Sequence, residues 1–365
     1  MTTPESTASR AGSQAFVEFP GLLIVRLMSR CNQRCLFCMV DDEVAAADEV
    51  PFAEVIARID AQVAPARIDF FGGEPTLHPD FLRLLRYAAE RGHRCSLASN
   101  GRIFASQAFT AQVAACGADD LYVRTSLYGD TPQLHDYYAA SLGSHAQTLA
   151  GIRNMVAAGF RVQVNIVLLR ENISRLREMT ALVHRLGAPA IKYGGLVDVA
   201  TCAEHTASLQ ALKPRLLDAI AFAEALGLGV TVEKTPVCAV GGRLDLLSTE
   251  RLLGDWPRAF DDEGACSGCL LRRWCEGLDP EYAALFGMGG LERITAVSPR
   301  VLRPLSGDPE PETLKFACVV IPDEAISGDT LSPAALEALG ALGERVQANF
   351  GRLVVFSPEH IQGAD

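Results

Sequence analysis

The chain contains no run of about 18 apolar residues, so nothing in it reads as a bilayer-spanning helix. Basic charge is scarce: 33 Lys and Arg stand against 44 Asp and Glu, a net charge of −11. The longest basic cluster is the pair Arg272-Arg273. A duplex or RNA binder usually carries a basic stripe, and its absence argues against nucleic acid as a partner. An acidic surface is compatible with a small basic pocket, so nucleic acid is disfavoured rather than excluded. Residues 1–14 are polar and rich in Ser, Thr and Ala, without the charged-then-apolar order of a secretion signal. A cytoplasmic protein with no membrane contact is expected. Internal repeats and low-complexity tracts are also missing.

What the chain does have is enough apolar material for a real core. Hydrophobic residues make up 49% and charged residues 21%, a balance unlike that of disordered chains. Its 365 residues suit one large domain with one or two small additions. Short apolar runs alternate with amphipathic stretches over residues 22–228. Strands are expected at 22–28, 67–71, 94–98, 120–127, 162–168 and 190–194, rich in Val, Ile, Leu and Phe and bounded by Gly, Asn or Asp. Helices are expected at 80–90, 106–116, 144–158 with Ser144 as N-cap, 173–186 and 213–226. Six alternations argue for an α/β fold with a parallel sheet and helical crossovers. Periodicity alone does not choose between an incomplete (β/α) barrel and a doubly wound sheet. Beyond Gly227 the pattern changes to a strand at 229–233, an irregular cysteine-bearing stretch at 234–290, a Pro-rich linker at 298–311, and strands at 313–321 and 352–356 flanking a helix at 333–349.

Eleven cysteines are many for a reducing compartment, where clustered thiols read as metal ligands rather than disulfides. The first cluster is Cys31-Asn-Gln-Arg-Cys35-Leu-Phe-Cys38, directly after the first expected strand. That position lies at the C-terminal edge of a parallel sheet, where active sites sit. Three thiolates within eight residues must converge on one compact centre. On a four-iron cubane, three ligands leave one iron open for a substrate or cofactor. A structural zinc normally takes four protein ligands, and a fourth from elsewhere would keep that alternative open. Phe70-Phe71-Gly72-Gly73-Glu74-Pro75 follows the second expected strand. Its glycines would let the backbone approach a ligand closely, and Glu74 would accept hydrogen bonds from an ammonium group. Taken alone, Gly-Gly-Glu-Pro is also a common turn.

The C-x3-C-x2-C spacing with Phe37 before its last cysteine, followed one strand later by Gly72-Gly73-Glu74-Pro75, resembles the radical S-adenosylmethionine (radical SAM) superfamily. The resemblance covers residues 22–228. It implies a partial (β/α)6 barrel and a [4Fe–4S] cluster on Cys31, Cys35 and Cys38, with the open iron chelating the amino and carboxylate groups of SAM. It further implies reductive cleavage to methionine and a 5′-deoxyadenosyl radical that takes hydrogen from a substrate. On the same resemblance, Ser99 and Asn100 after the third strand, Arg124 and Ser126 in the fourth, Asn165 in the fifth and Tyr193 in the sixth would touch SAM. Each of these also reads as a barrel-interior or turn residue. An electron donor such as flavodoxin or ferredoxin is expected as a partner.

The second cluster, Cys266-Ser-Gly-Cys269-Leu-Leu-Arg-Arg-Trp-Cys275-Glu-Gly277, has Pro236-Val-Cys238 upstream. It resembles the SPASM and twitch extensions of radical SAM enzymes. The full SPASM form has a further cysteine where this chain has Asp279. One auxiliary [4Fe–4S] cluster on Cys238, Cys266, Cys269 and Cys275 is therefore expected, with a four-cysteine zinc site or buried metal-free thiols as alternatives. Cys95 and Cys318 lie in apolar strands and read as core. Cys202 is a candidate hydrogen-atom donor or an alternative auxiliary ligand. The seven histidines show no paired spacing and read as surface or capping residues. Asp41-Asp42-Glu43 reads as a solvated loop.

The expected organisation is a flexible tail at 1–20, the partial barrel at 21–228, the auxiliary-cluster domain at 229–295 and a small α/β segment at 296–365, so that the whole is α/β with a cysteine-rich α+β extension. The expected function is oxidation, cross-linking or epimerisation of a peptide or small natural product. The alternative is a non-catalytic iron–sulfur or zinc module for binding or sensing.

Overall fold

A computed structural model of the chain describes residues 16–19, 21–38, 49–195, 202–243, 246–247, 258–272 and 275–295, together with the backbone of four later strands. The expected helix at 333–349, the linker at 298–311, residues 1–14 and Asp41–Glu43 lie outside them. The backbone divides into two compact units, residues 1–206 with 222–230, and residues 207–221 with 231–365.

The first unit is built on a sheet whose strands follow chain order from β1 to β8. β1 (Phe16–Phe19) is antiparallel to β2 (Leu22–Arg26). From β2 the ladder runs parallel through β3 (Arg67–Phe71), β4 (Arg94–Ser99), β5 (Tyr122–Leu127), β6 (Arg161–Val167) and β7 (Ala190–Gly194). β8 (Gly229–Glu233) completes the order. The six parallel strands expected from sequence are present, and β1 is an addition the reading did not contain. Consecutive parallel neighbours need crossovers. Helices supply them: α1 (Phe52–Asp60), α2 (Phe81–Glu90), α3 (Gln107–Ala114), α4 (Pro132–Ala139), α5 (Ser144–Ala157) and α6 (Leu176–Arg185), with α7 (Leu209–Ala225) before β8. Of these, α1 and α4 were not foreseen.

Local chemistry sets several boundaries. Ser106 caps α3, its side chain accepting from the Phe109 N–H. Thr131 caps α4 in the same way, with Pro132 in the first turn. At α5 the expected cap is corrected. Gly143, at φ 79°, is the N-cap, and Ser144 lies one residue inside. The acceptor is the carboxylate of Asp136, which takes the N–H groups of Gly143 and His145 and the Ser144 hydroxyl.

The two faces of the sheet differ in chemistry, and this positions the site. Residues alternate along each strand. Val123, Thr125 and Leu127 of β5 are fully buried, as are Leu23 and Val25 of β2 and Ile68 and Phe70 of β3. Phe70 packs edge-on against Phe81 of α2, so this set faces the helices. Burying each such apolar side chain contributes roughly 1.5–3 kcal/mol. The opposite face is polar. Asp69 of β3 accepts from Ser96 of β4 at 2.6 Å and from the Arg124 guanidinium of β5 at 2.5 Å. Ser126, Asn165 and Lys192 form one row across β5, β6 and β7 on that same face. A parallel sheet packed on both sides would carry apolar residues on both faces. This one keeps a face for polar contacts.

In the second unit, the turn Val237–Val240 carries Cys238. Isolated bridges join Val232 to Leu247 and Ala259 to Leu278. The short helix α8 (Pro280–Phe286) is capped by Asp279, which accepts from Glu281 N and Tyr282 N. Its core gathers Leu209, Ala239 and Leu278 with Tyr282, Met288 and Leu291. Further along, β9 (Phe316–Val320) pairs in parallel with β12 (Arg352–Phe356), and β10 (Ile326–Ser327) pairs antiparallel with β11 (Thr330–Leu331).

Candidate functional site

The loop bearing Cys31, Cys35 and Cys38 leaves the C-terminal end of β2. Its shape comes from elsewhere in the unit. Arg34 N donates to Ala139 O and Leu36 N to Tyr138 O, both at 3.0 Å. These are carbonyls of the last turn of α4 and its end, which have no partner within the helix. Phe37, the aromatic of the signature, anchors the loop. It meets Tyr128 edge-on at 5.0 Å and lies 5.9 Å from Tyr138. Burial pushes the Cys31 thiol up, and the Cys35 thiol up to about 12. Cys38 adds to the rise at Cys31, and Cys31 and Cys38 both add to the rise at Cys35. Such mutual repulsion between thiolates is relieved when a metal cation displaces their protons.

The Gly72-Gly73-Glu74 turn at the end of β3 lies directly against this loop. Gly73 N donates to Met28 O at 2.8 Å and Glu74 N to Arg30 O at 3.0 Å. A Cβ on Gly72 would lie 2.4 Å from Met28 O, and one on Gly73 would lie 2.3 Å from Ser29 O. Both glycines are thus required by backbone packing against residues 28–30, in addition to any approach to a ligand. Pro75 opens the short turn that follows.

Glu74 differs from the expectation. It is 0% exposed. One carboxylate oxygen accepts from Thr76 N, the Thr76 hydroxyl and the Ser99 hydroxyl, and the other from Asn100 N at 2.8 Å. Burial raises its pKa, and these donors offset only part of the rise. Its direct work is to tie the ends of β3 and β4 together. That link places Asn100, whose Nδ2 reaches Asn32 Oδ1 at 2.6 Å and Cys31 Sγ at 3.6 Å. Arg102 donates to Asn32 O of the same loop and to the Ser141 hydroxyl just beyond α4.

Across the polar face, Arg124 is held in its ion pair with Asp69. Asn165 Oδ1 is a buried acceptor without a hydrogen-bond partner, in the same row as Ser126. Tyr193 is a correction. Its hydroxyl lies 2.6 Å from Thr180 Oγ1 of α6, so it belongs to the helix-facing side. Strand alternation puts Lys192, its neighbour, on the polar face instead. Cys202 is 4% exposed, with its sulfur 4.0 Å from Leu36 O. It packs beneath the cysteine loop, and neither role considered for it gains an observation. The histidines are also corrected in part. His78, His93, His135, His145 and His205 are buried rather than at the surface. His78, His93 and His135 accept backbone N–H groups, from Asp80, Ala66 and Tyr128 respectively.

The residues present fit a three-thiolate cluster with a small polar ligand beside it. The thiols share one loop, and the Gln33 N–H and Asn100 Nδ2 donate to Cys31 Sγ. The sequence reading missed Asn32, Arg102, Asp69, Ser96 and Tyr128. For Tyr128 a signal existed, an aromatic two residues beyond Ser126 at a strand end.

In the second unit, Cys238, Cys266, Cys269 and Cys275 all line one cavity of about 330 Å³, open solvent included. Phe260, Leu271, Leu291 and Ile294 wall it. Cys275 Sγ accepts from Val237 N at 3.4 Å and Gly277 N at 3.3 Å. Gly277 takes φ 65°, and a Cβ there would lie 3.0 Å from Ala259 O. Burial raises the Cys238 and Cys266 thiols, and Lys213 moderates the first. Lys213 pairs with Glu292 of the cavity wall at 2.5 Å. Among the described residues, no three or more His, Cys, Asp or Glu side chains are drawn tightly enough together for a single metal ion. No helix among them is long and apolar enough to cross a membrane.

Residues 25–183 match the family described as the Radical SAM superfamily. This part of the chain is a radical SAM domain. The chain is similar to an AdoMet-dependent heme synthase of Oleidesulfovibrio alaskensis, with 30% identity over 44% of this chain and 41% of that protein. It is also similar to the mycofactocin maturase MftC of Mycobacterium ulcerans, with 29% identity over 47% and 46%. The matched part thus spans less than half the length of each. Among solved structures, Streptococcus suis SuiB bound to precursor peptide SuiA aligns with a TM-score of 0.50 and 16% identity, over 60% of this chain and 49% of that one. That likeness concerns the fold, the partial barrel of radical SAM domains.

Proposed function

We propose that the chain is a radical SAM enzyme acting on a peptide, with a second iron–sulfur cluster in its cysteine-rich unit. The observation that carries the reading is the joining of Cys31, Cys35 and Cys38 to the Glu74–Ser99–Asn100 network at one end of the sheet. Cys31, Cys35 and Cys38 would hold a [4Fe–4S] cluster with one iron open. When bound there, SAM supplies, on one-electron reduction, a 5′-deoxyadenosyl radical that abstracts hydrogen. The chain's own residues hold and shield. Asn100, placed by Glu74, would fix the ligand's polar end beside Cys31. Ser126, Arg124 and the partnerless Asn165 Oδ1 would line its other contacts along the polar face.

Cys238, Cys266, Cys269 and Cys275 would hold the auxiliary cluster. Four thiolates saturate it, which suits a carrier of the electron that a substrate radical must release in a net oxidation. A peptide substrate is favoured by the similarity to a mycofactocin maturase, and the net charge of −11 would disfavour an anionic polymer. A cytoplasmic electron donor of the flavodoxin or ferredoxin kind would deliver the reducing electron.

Anaerobic incubation of the reconstituted full chain with SAM and a strong reductant tests the first half of this reading. Release of 5′-deoxyadenosine is expected, and a chain that binds iron but releases none is a binding or sensing module. Short peptides encoded beside the gene, followed by mass spectrometry for loss of hydrogen, test the second half.

A further inference from the structure

We infer that Tyr128 donates a hydrogen bond to the sulfur of Cys35 in the loaded protein and raises the reduction potential of the cluster on Cys31, Cys35 and Cys38. This rests on the reading of those three thiols as cluster ligands. The Tyr128 hydroxyl lies 3.4 Å from Cys35 Sγ, with either atom able to donate when both are protonated. A sulfur that ligates iron is a thiolate and has lost its proton. The hydrogen in this contact must then come from the phenol.

Tyr128 is held against the cysteine loop, with Ser126 as a second hydrogen-bonding neighbour of its hydroxyl. Its ring meets Phe37 edge-on at 5.0 Å and stacks on His135 at 5.2 Å, with planes 21° apart. Its backbone N–H donates to His135 Nδ1 at 3.2 Å, and its carbonyl accepts from Asn172 Nδ2 at 3.0 Å. His135 is itself fully buried. Gln33 Oε1 also lies 3.4 Å from Cys35 Sγ, but a carboxamide can turn end for end. The phenol is fixed by ring contacts with Phe37 and His135 and by two backbone hydrogen bonds.

Hydrogen bonds to cluster sulfurs are one of the protein's means of setting an iron–sulfur potential. One-electron reduction adds negative charge to the cluster and its thiolates. A donor at the sulfur stabilises that extra charge more than it stabilises the oxidised form. Tyr128 would therefore ease the first electron transfer from the external donor. This makes it a positioning and tuning residue with no contact to substrate implied.

The test is an EPR-monitored redox titration of the anaerobically reconstituted full chain, wild type against Tyr128→Phe, with iron per chain counted in each. The cluster with the open iron is recognised because its signal changes when SAM is added. In Tyr128→Phe that signal's midpoint should move to a more negative potential, with iron content and the midpoint of the other cluster unchanged. An unmoved midpoint at full iron loading overturns the inference. Should the Phe variant lose iron, 3-fluorotyrosine placed at 128 carries the test. It keeps the shape and strengthens the donor, so the midpoint should rise, and an unmoved or lowered one overturns the inference. A wild-type protein with no SAM-responsive signal refutes the cluster reading itself, a failure distinct from an unmoved midpoint.

Discussion

Cys31, Cys35 and Cys38 sit on a loop shaped by α4, by the glycine turn after β3 and by Asn100 after β4. Cys238, Cys266, Cys269 and Cys275 instead line a cavity walled mainly by apolar residues, with Arg272 and Glu292 beside them, where turns of their own backbone set their spacing. The first set has three thiols beside a polar face with a partnerless acceptor. The second has four thiols, with Arg272 and Glu292 as the charged residues of its lining. Ligand count and surroundings point the same way: a site with three ligands can bind something further, and a site with four is closed. On the proposed reading, the open site would be the one embedded in side-chain hydrogen bonds, as a bound ligand needs groups fixed in advance to receive it.

The sharpest way to break this contrast is to remove each set in turn. Replacing Cys31, Cys35 and Cys38 together with Ala should abolish 5′-deoxyadenosine formation, measured by chromatography, because no iron remains to pass an electron to SAM. The same variant should stay brown. Iron per chain should fall from about eight to about four, the load of one cubane. A colourless variant holding one zinc would make the second set a structural site.

Replacing Cys266, Cys269 and Cys275 with Ala should also halve the iron, yet leave substrate-free SAM cleavage in place while blocking net oxidation of substrate. Loss of cleavage in that variant would mean the two sites are not independent. A third, smaller effect concerns the network that opens the first site. Glu74→Ala strips the Ser99 hydroxyl and the Asn100 N–H of their acceptor. Losing a charge-assisted hydrogen bond costs about 1.5–3 kcal/mol, so SAM affinity should fall roughly ten- to hundredfold. Calorimetry on the reconstituted variant reads this. An unchanged affinity would remove Glu74 and Asn100 from the binding account.

A further expected effect separates the two units by pH. Burial lowers His135 to about 4 from 6.5, and His93 and His145 shift in the same direction for the same reason. The unfolded chain takes up a proton near pH 6.5 and the folded one only near 4. Stability is therefore full above pH 6.5 and falls as pH drops towards 4, by about 3 kcal/mol for His135 alone. No histidine is among the described residues of the second unit. Thermal unfolding followed from pH 7 to 4.5 should show a steeper acid loss for the first unit. His135→Asn, which keeps an acceptor for Tyr128 N, should flatten it.

The sequence revealed some layers of this structure and hid others, for physical reasons. The parallel strands were readable because their helix-facing residues, such as Ile68, Phe70, Val123 and Leu127, are apolar in strict alternation or in runs. Helix α4 was hidden because His135 and Tyr138 supply its buried face, residues that patterning counts as polar or amphipathic. Thr131-Pro132 was the signal available there. The four cysteines expected to hold an auxiliary cluster line one cavity, Cys238 among them although it is far from the others in sequence. Tyr193 was misassigned by one residue, and in a strand one residue is a change of face. The role of Glu74 was half-legible. Its position after β3 was plain, but its full burial depends on Thr76, Ser99 and Asn100, and no local pattern encodes that.

The claim that one cysteine set is open and the other closed is tested most directly by EPR of the two reduced cysteine variants, before and after SAM is added. The protein lacking Cys266, Cys269 and Cys275 should show a cluster signal that SAM alters, since an iron without a protein ligand is there to receive it. The protein lacking Cys31, Cys35 and Cys38 should show a signal that SAM leaves unchanged. A SAM-dependent change in the second protein, or none in the first, would contradict the account.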